Sequence, residues 1–386
     1  MIFCLNSGSS SLKFSAYRID TRETRLVSGA IEGLTAPDSR LWARGADGGM
    51  LVDQPRRRFA DTREAVAAAF GVLGEIDLPP PGAVGHRVVF GGSGHVAPER
   101  IDPALLETLR AARRFAPLHM PAELAAIDAA LAAAPDIPHI ACYDTAFHAA
   151  LPAVARRLPL PRELHDEGVQ RFGYHGLSYE YVVSRLGASL GRAVIAHLGH
   201  GVSLAAVRDG GPVDTTMGFS PAGGVPMSTR SGDLDPGVFV YLAREKGLDA
   251  DAFERLVTRQ SGLLGLSGTT GDMQELLDRR AADPRAAAAV ELFCYQIRRQ
   301  IGALTAALGG LDVLVFTGGI GERAAPIRLE VCRGLEHLGV RIDAGLNERH
   351  APIISHDGDT CTVRVEPTDE NLVIARHTHA LTKGHP

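Results

Sequence analysis

Several features that define other classes of protein are scarce or missing in this chain. The five cysteines are far apart and none pairs at metal or redox spacing: Cys4, Cys142, Cys294, Cys332 and Cys361. No uncharged apolar run reaches the roughly 18 residues that a membrane helix needs. The net charge of −5 argues against a nucleic-acid surface. We therefore expect a cytoplasmic protein that acts on small molecules, with no nucleic-acid or membrane partner.

The chain of 386 residues is too long for one ordinary core, so two domains are expected. Segments typical of strands and helices alternate along it, as in α/β proteins. Helices are predicted to begin at Asp61 or Thr62, and at the Asp-Pro pairs 102–103 and 283–284, where a capping residue precedes the helix. Residues 211–236 are rich in Gly, Pro, Ser and Thr and are predicted to form a long loop, which is either functional or mobile.

Two short stretches share one plan. Residues 6–16 (NSGSSSLKFSA) and 197–207 (HLGHGVSLAAV) each follow an apolar strand and lead through small residues into a second alternating strand. Turns of this kind present backbone N–H groups and hydroxyls that bind anions, here with Ser9 to Ser11 and the positive charge of Lys13. A duplicated domain would hold a polyphosphate from both sides, and chance similarity is the alternative. No Walker A motif occurs in the chain.

Four charged or titratable side chains stand at positions typical of ligand binding. Arg87 lies in an apolar strand, so its guanidinium must meet an anion, either a ligand or a structural partner. Asp144 follows a predicted strand and either holds a metal, orients an attacking oxygen or caps a helix. His175 stands in a loop among glycines. Arg230 lies in the glycine-rich loop, either at a ligand or as a solvated charge.

A second interpretation comes from VLVFTGGIGERA, residues 313–324. It contains Gly319-x-Gly321-x-x-Ala324 after a strand, and Asp343 is expected to end a later strand, which imitates a dinucleotide-binding fingerprint. Little chain follows for a Rossmann half, so the same glycine turn is expected to let a nucleoside lie against bare backbone. An NAD-dependent dehydrogenase and a non-catalytic nucleotide-binding regulator remain alternatives.

Eleven motifs run in one order along nearly the whole chain. They are NSGSSSLK, GHRVV, APLH, DTAFH, GYHG, HLGHG, VDTTMGFSP, TRSGDLDP, SGLLGLSG, FTGGIGE and EPTDENLVIAR. Because these motifs occur in the same order in the acetate kinase family, the chain resembles that family. The resemblance implies an α/β fold of two duplicated actin-like (ribonuclease H-like) ATPase domains around a central nucleotide cleft. The N-terminal domain would comprise residues 1–147 and 370–386, and the C-terminal domain, for nucleoside binding and dimerisation, residues 148–369.

The same resemblance implies a reaction. ATP would phosphorylate acetate reversibly, giving acetyl phosphate and ADP by direct in-line transfer, with Mg²⁺ or Mn²⁺ as the cofactor and a homodimer as the assembly. Propionate or another short-chain carboxylate is the alternative substrate. The chemistry is coherent with the residues present, because a carboxylate oxygen is already a nucleophile and the reaction chiefly needs charge neutralised as the phosphoryl group moves.

Roles for individual residues follow from the resemblance. Asp144, His175 and Arg230 would be catalytic, and Asn6 and Glu370 would hold the metal. The residues that would bind the substrate acid are Arg87, Val89, Leu118, Tyr174 and Pro221. The residues that would bind the nucleotide are Ser11, Lys13, His197, Leu198, Gly199, His200, Gly201, Asp272, Met273, Gln274, Gly319, Ile320, Gly321, Glu322 and Arg323.

This chain departs from the usual family pattern at several neighbouring positions. Where the family usually has asparagine, this chain has Met120, Glu123, His200 and Arg323. It has Tyr174 in place of a phenylalanine and Gln274 in place of an arginine. The charged catalytic positions are all retained. We expect the departures to bear on substrate size and nucleotide preference, and we expect the Tyr174 hydroxyl to need a hydrogen-bond partner in an apolar pocket.

Overall fold

A computed structural model describes residues 1–8, 11–34, 36, 38–113, 116 and 119–383. These residues form two compact units, one of Met1–Phe147 with Asp369–Pro386 and the other of His148–Thr368. Ser9, Ser10 and Leu118, for which the sequence predicts binding roles, lie outside the described residues. No helix in the described ranges combines the length and the apolar character that crossing a bilayer requires.

Both units contain helices and strands. The strands are β1 (Ile2–Ser7), β2 (Ser11–Ile19), β3 (Glu23–Glu32), β4 (Arg40–Gly45), β5 (Met50–Pro55), β6 (Ala83–Val88), β7 (Glu99–Arg100), β8 (His139–Tyr143), β9 (Arg192–Leu198), β10 (Val202–Arg208), β11 (Gly211–Thr215), β12 (Val313–Thr317) and β13 (Thr362–Val365). The helices are α1 (Thr62–Glu75), α2 (Pro103–Ala112), α3 (Met120–Ala133), α4 (Ala153–Arg156), α5 (Arg162–Asp166), α6 (Gly176–Leu186), α7 (Pro236–Lys246), α8 (Ala250–Arg259), α9 (Gly262–Ser267), α10 (Met273–Arg279), α11 (Pro284–Leu308), α12 (Gly318–Arg323), α13 (Ala325–Cys332), α14 (Ala344–Glu348) and α15 (Glu370–Thr382). They follow one another in runs, such as β1 to β5 and α7 to α11, and not in strict alternation as the sequence predicts.

The predicted helix starts are confirmed by their caps. The carboxylates of Asp61 and Asp102 each accept a hydrogen bond from the backbone N–H three residues further on, at 2.9 and 2.8 Å. Asp283 caps α11 by accepting from the N–H two residues on, at 2.9 Å, and Pro284 occupies the first helical position. Each cap satisfies a donor that the helix itself leaves without a partner.

The sheet of the first unit has the strand order β5-β4-β3-β2-β1-β6-β8-β7. β1 to β5 are antiparallel neighbours, whereas β6 runs parallel to both β1 and β8. Helices α1 and α3 pack against the sheet, with Phe3, Phe14 and Val66 in the shared apolar core. Helix α15 packs against β1, β2, β6 and β8. Its first residue, Glu370, is thereby brought beside the end of β1.

Close packing of α15 on β6 depends on a glycine. A Cβ atom built on Gly85 would lie 2.3 Å from Thr378 Oγ1 and 2.5 Å from Ile374 Cγ2. Contacts that short do not occur between real atoms, so any side chain at Gly85 would push α15 away from the sheet. The close approach of α15 to β6, the strand that carries Arg87, therefore depends on the glycine at position 85.

The second unit repeats the central plan of the first. Its sheet has the order β11-β10-β9-β12-β13, with β9 to β11 antiparallel and β12 parallel to β9 and β13. The strands β3-β2-β1-β6-β8 of the first unit have the same order and the same directions. The two hairpins β1–β2 and β9–β10 occupy equivalent places. Chance similarity of the two stretches is therefore excluded, and the duplicated α/β fold is confirmed.

Two predictions were wrong in detail. Residues 211–215 form strand β11 and not the start of a loop, because Gly211 to Thr215 complete the antiparallel hairpin with β10. Asp343 does not end a strand but caps α14, where its Oδ1 accepts from the Leu346 N–H at 2.8 Å. The dinucleotide-binding interpretation is therefore wrong, because the strand that follows the glycine motif is β13, and Asp343 lies in the connection before β13 and not at its end.

Candidate active site

The β1–β2 hairpin brings three of the predicted residues together in the first unit. Asn6 is the register partner of Lys13 across the hairpin, and its amide Nδ2 donates to Glu370 Oε2 at 3.1 Å. Side chains opposite each other in an antiparallel pair share one face. The exposed Lys13 ammonium, the Asn6 amide and the Glu370 carboxylate therefore belong to one polar group. Ser11 begins β2, and its carbonyl accepts from the Gly8 N–H at 2.8 Å.

Arg87 is the cation at the centre of a second cluster in the same unit. Its Nη2 donates to Asp144 Oδ2 at 2.5 Å and its Nη1 to Glu123 Oε1 at 3.2 Å. The arginine side chain is only 13% exposed. Burial acts to lower its pKa, but Asp144, Glu123 and Glu370 outweigh burial and raise the pKa above its usual range. Arg87 is therefore charged, and the structural partner anticipated for it is present.

Glu123 is a member of this cluster that the sequence analysis did not place there. It lies in the first turn of α3, fully buried, and its Oε2 accepts from the Val89 N–H at 2.9 Å. Burial raises its pKa to about 7, against the opposing charge of Arg87. One indication of this role is present in the sequence, which is a carboxylate at a position where the acetate kinase family usually has asparagine. Locating its partner required the fold, because Arg87 is 36 residues away in the chain.

His175 stands at the centre of a hydrogen-bonded group in the second unit. It precedes α6 in the left-handed conformation, with φ +59°, which is costly for a residue with a side chain. Its Nδ1 pairs with Ser203 Oγ at 2.9 Å, and its ring stacks on His197 with centroids 4.3 Å apart. Ser178 Oγ in turn pairs with His197 Nδ1 at 2.9 Å. These contacts fix the orientation of both imidazoles.

Arg230 and the turn after β9 meet near His175. A Cβ atom on Gly201 would lie 3.0 Å from His175 Nε2 and 3.5 Å from Arg230 Nη1. Arg230 Nη1 also donates to the Pro221 carbonyl at 3.1 Å. The Arg230 residue is only 9% exposed, so the alternative of a solvated loop charge is wrong. An arginine and a histidine are thus held beside the glycine turn that ends the β9–β10 hairpin.

A cavity of about 350 Å³ opens next to this turn, within the second unit. Its size falls within the range of small-molecule sites. The predicted nucleotide-binding residues that line it are Gly199, His200, Asp272, Met273, Gln274, Gly319, Ile320 and Arg323. The lining residues that sequence reasoning missed are Ser228, Gly271, Leu277 and Ala324. Three of them, Ser228, Gly271 and Ala324, are small residues of types that are common throughout the chain and therefore give little signal in a sequence.

The remaining predicted nucleotide residues support the walls of this region. Leu198 is the last residue of β9. Gly318 has φ +77° and lies so close to Leu198 that a Cβ atom on Gly318 would be 2.8 Å from the Leu198 carbonyl oxygen. Gly321 is buried in α12. Glu322 Oε1 accepts from the backbone N–H groups of Gly318 at 3.1 Å and Thr368 at 3.3 Å. The Glu322 side chain therefore holds the backbone of the glycine turn in place.

His200, which lines the cavity, stands at a position where the acetate kinase family usually has asparagine. Burial lowers its pKa, the nearby Arg230 charge lowers it further, and Asp272 acts in the opposite direction. Because an unperturbed histidine titrates near about 6.5, His200 is uncharged at neutral pH. It offers the cavity a neutral hydrogen-bonding group, as an asparagine would.

The hydroxyl of Tyr174 has the partner that the sequence analysis required. Tyr174 is 1% exposed, and its hydroxyl donates to the backbone carbonyl of Phe219 at 3.0 Å. This bond satisfies the hydroxyl within the second unit. Tyr174 and Pro221 lie in the second unit, whereas Arg87 and Val89 lie in the first.

The duplicated five-strand plan, with a hairpin and a set of charged side chains in each unit, defines an α/β protein of the actin-like ATPase class. The chain belongs to the acetokinase family, whose model matches residues 1–376. It is 43% identical to the acetate kinase of Rhodopseudomonas palustris over 397 aligned residues, which cover 100% of this chain and 99% of that protein.

Solved structures give the same result. The chain resembles the acetate kinase of Porphyromonas gingivalis with a TM-score of 0.87 and 34% identity, over 99% of each chain. It resembles a propionate kinase of Francisella tularensis with a TM-score of 0.90 and 33% identity, over 98% of this chain and 99% of that one. The family is therefore established, and the two solved structures are named as kinases of different short acids, acetate and propionate.

Proposed function

We propose that this protein transfers the terminal phosphoryl group of ATP to acetate, giving acetyl phosphate and ADP, and that the reaction is reversible. The observation that carries the proposal is membership of the acetokinase family along residues 1–376. The charged clusters around Arg87 and around Arg230 are consistent with it, since phosphoryl transfer to a carboxylate needs two anions held and neutralised.

In the first unit, Arg87 binds the substrate carboxylate. Its planar guanidinium suits a carboxylate, and the buried side chain of Val89, two residues further along the chain, contributes apolar surface. Asp144 holds the guanidinium in place through its 2.5 Å hydrogen bond. Asp144 therefore orients groups and does not accept a proton, because the substrate carboxylate is already an ionised nucleophile. Lys13 and Ser11 interact with the phosphoryl group.

Asn6 and Glu370 fit a magnesium ion. The Asn6 amide and the Glu370 carboxylate are hydrogen-bonded neighbours, and together they offer the hard oxygen atoms that Mg²⁺ prefers. Mg²⁺ is commonly held by one or two carboxylates together with waters and substrate phosphates. When bound, such an ion neutralises negative charge on phosphate oxygens.

In the second unit, His175 and Arg230 stabilise charge on the transferring phosphoryl group. The glycine turn at residues 199–201, with His197, binds phosphate oxygens through backbone N–H groups. The cavity lined by Asp272, Gln274 and Arg323 takes the nucleoside. The hydrogen bonds that orient His175 before any ligand binds reduce the reorganisation that the reaction requires.

The cytoplasmic location and the homodimer are further parts of this proposal. The second unit exposes Phe239, Val240 and Tyr241 on α7, with exposed fractions of 37%, 42% and 55%. Neighbouring exposed apolar side chains on one helix are typical of a protein interface. Sedimentation velocity decides the point, since a species of one chain's mass at every concentration would exclude the dimer.

A parallel assay on three acids tests the proposed function. ATP, Mg²⁺ and hydroxylamine are incubated with acetate, propionate or butyrate, and the acyl hydroxamate is measured. Acetate is expected to have the highest kcat/KM, and each added methylene should change it by roughly 10- to 200-fold, because hydrophobic pockets discriminate by about 1–3 kcal/mol per methylene.

The Francisella tularensis relative makes propionate the second candidate substrate. A higher kcat/KM with propionate than with acetate would establish that candidate in place of the first. No hydroxamate from any of the three acids, with folded protein, would contradict phosphoryl transfer to short carboxylates altogether.

A further inference from the structure

Glu123 is a buried carboxyl group that the reaction proposed above does not use. It lies in the first turn of α3 with a fully buried side chain. One of its oxygens accepts from Arg87 Nη1 at 3.2 Å, and the other accepts from the Val89 N–H at 2.9 Å. Both partners are residues to which the proposed function assigns binding of the acid. Glu123 therefore touches the substrate-binding residues themselves.

The guanidinium of Arg87 already has two carboxyl partners. Asp144 accepts from Nη2 and Glu123 accepts from Nη1. A substrate carboxylate binds an arginine most strongly through two parallel N–H groups. A third carboxylate would give one cation three anionic partners in buried surroundings, where uncompensated charge is costly. The acid binds well only when one resident carboxyl group gives up its charge.

Glu123 is the resident group that is suited to do so. Burial raises its pKa to about 7, and the charge of Asp144 adds to the rise, whereas Arg87 and the Val89 N–H act against it. The charged groups that face the cluster are Arg87 from β6, Asp144 after β8 and, acting on Arg87, Glu370 from α15. An ordinary glutamate titrates near about 4.3. Glu123 therefore exchanges its proton around neutral pH, where acetate itself is ionised.

We propose that Glu123 competes with the substrate carboxylate for Arg87, so that binding of the acid is accompanied by uptake of one proton at Glu123. This inference rests on the proposed function and makes Glu123 a positioning residue that sets the affinity for the acid. Below neutral pH the side chain is neutral and the acid meets no competing charge. Above neutral pH the side chain must first be protonated, and the KM for acetate rises by about tenfold for each pH unit.

Steady-state kinetics on Glu123→Gln tests the competition. The KM for acetate, the KM for ATP and kcat are measured from about pH 6 to about pH 9 for the wild type and the variant. Glutamine keeps the shape of the side chain and cannot ionise. The KM for acetate of the wild type should rise above neutral pH while that of Glu123→Gln stays low and flat, and the KM for ATP should be similar in both proteins.

A matched control is Glu23→Gln, which removes a carboxylate from the ion pair with Arg376 in the same unit. It should follow the wild-type pH profile. Glu123→Asn is a second variant that also lacks the charge, in case glutamine impairs folding, and it should give the same flat profile. A wild-type KM for acetate that does not rise above neutral pH would overturn the proposal, as would equal slopes in the wild type and the Glu123 variants.

A failure of the proposed function is distinguishable from these outcomes. If the wild type forms no acyl phosphate from ATP and acetate at any pH, the function itself is wrong. Thermal unfolding adds a readout that does not need activity. The raised pKa means that the folded wild type loses stability as pH rises from the ordinary glutamate pKa to about 7. The Tm advantage of Glu123→Gln should therefore grow across that window, and a constant difference would contradict the assignment.

Discussion

Replacing Arg230 by glutamine is expected to lower kcat by a factor of about 100 to 1,000, which corresponds to roughly 2.7–4 kcal/mol, the usual cost of removing one preorganised donor to a transition state. Arg230 is 9% exposed as a whole residue, and its guanidinium lies beside Gly201 and His175. In such a water-poor site its charge acts strongly on a developing negative charge. The KM values for ATP and acetate should change much less than kcat.

Two comparisons separate a catalytic role for Arg230 from a structural one. Arg230→Lys keeps the positive charge and should recover part of the lost rate. Arg280→Gln removes an arginine of the same unit from its partly buried pair with Glu330 and should leave kcat within about twofold, since neither residue is assigned a role in the reaction. If Arg230→Gln kept wild-type kcat while lowering Tm, Arg230 would be a structural residue only.

Replacing Arg87 by methionine is expected to have the largest effect on stability, a loss of about 3–5 kcal/mol in the free energy of unfolding near neutral or higher pH. Removing one partner of a buried charged cluster leaves the others uncompensated, and here Glu123 and Asp144 would both remain, at 0% and 1% side-chain exposure. The KM for acetate should rise at the same time. Urea unfolding near about pH 8 measures the first effect.

The pH dependence of this loss has a definite sign. Without Arg87, the pKa of the Glu123 carboxyl group rises further, so at acid pH this group is protonated and the loss of stability is smaller. The double variant Arg87→Met with Glu123→Gln should be more stable than Arg87→Met alone. Arg40→Met, which breaks an exposed pair with Asp53, is the control and should cost under about 1 kcal/mol. Equal losses in both arginine variants would contradict the account of the cluster.

The parts of the fold that depend on local chemistry were predictable from the sequence. Asp61, Asp102 and Asp283 cap helices because an acidic side chain just before a helix satisfies its first N–H groups. The two hairpins were visible because alternation and small turn residues are local patterns. Their equivalence within two sheets of the same order is what turned a similarity of sequence into a duplicated fold.

Contacts between distant segments were not predictable in the same way. Asp144 and Arg87 are 57 residues apart, and Asn6 and Glu370 are 364 residues apart. Nothing in either local sequence states that these side chains meet, and only the resemblance to a family suggested a common site. Strand β11 was missed for a related reason, since its residues carry turn-like composition and form a strand only by pairing with β10.

The role of Glu123 could not be inferred by comparing residue types position by position. The sequence showed that a carboxylate replaces an asparagine, but its meaning depends on burial and on the two hydrogen bonds to Arg87 and Val89. The same substitution on an exposed surface would change little. In this buried cluster it changes the charge that an incoming acid encounters.

Acetate labelled with heavy oxygen in both carboxylate positions provides the most direct test of the central claim. The protein is incubated with ATP, Mg²⁺ and the labelled acetate, and the acetyl phosphate is examined by phosphorus NMR. If a carboxylate oxygen attacks the terminal phosphorus of ATP, the product carries one heavy oxygen bonded to phosphorus, and its resonance shifts accordingly. Acetyl phosphate without that shift, or its absence with folded protein, would contradict direct phosphoryl transfer to the carboxylate.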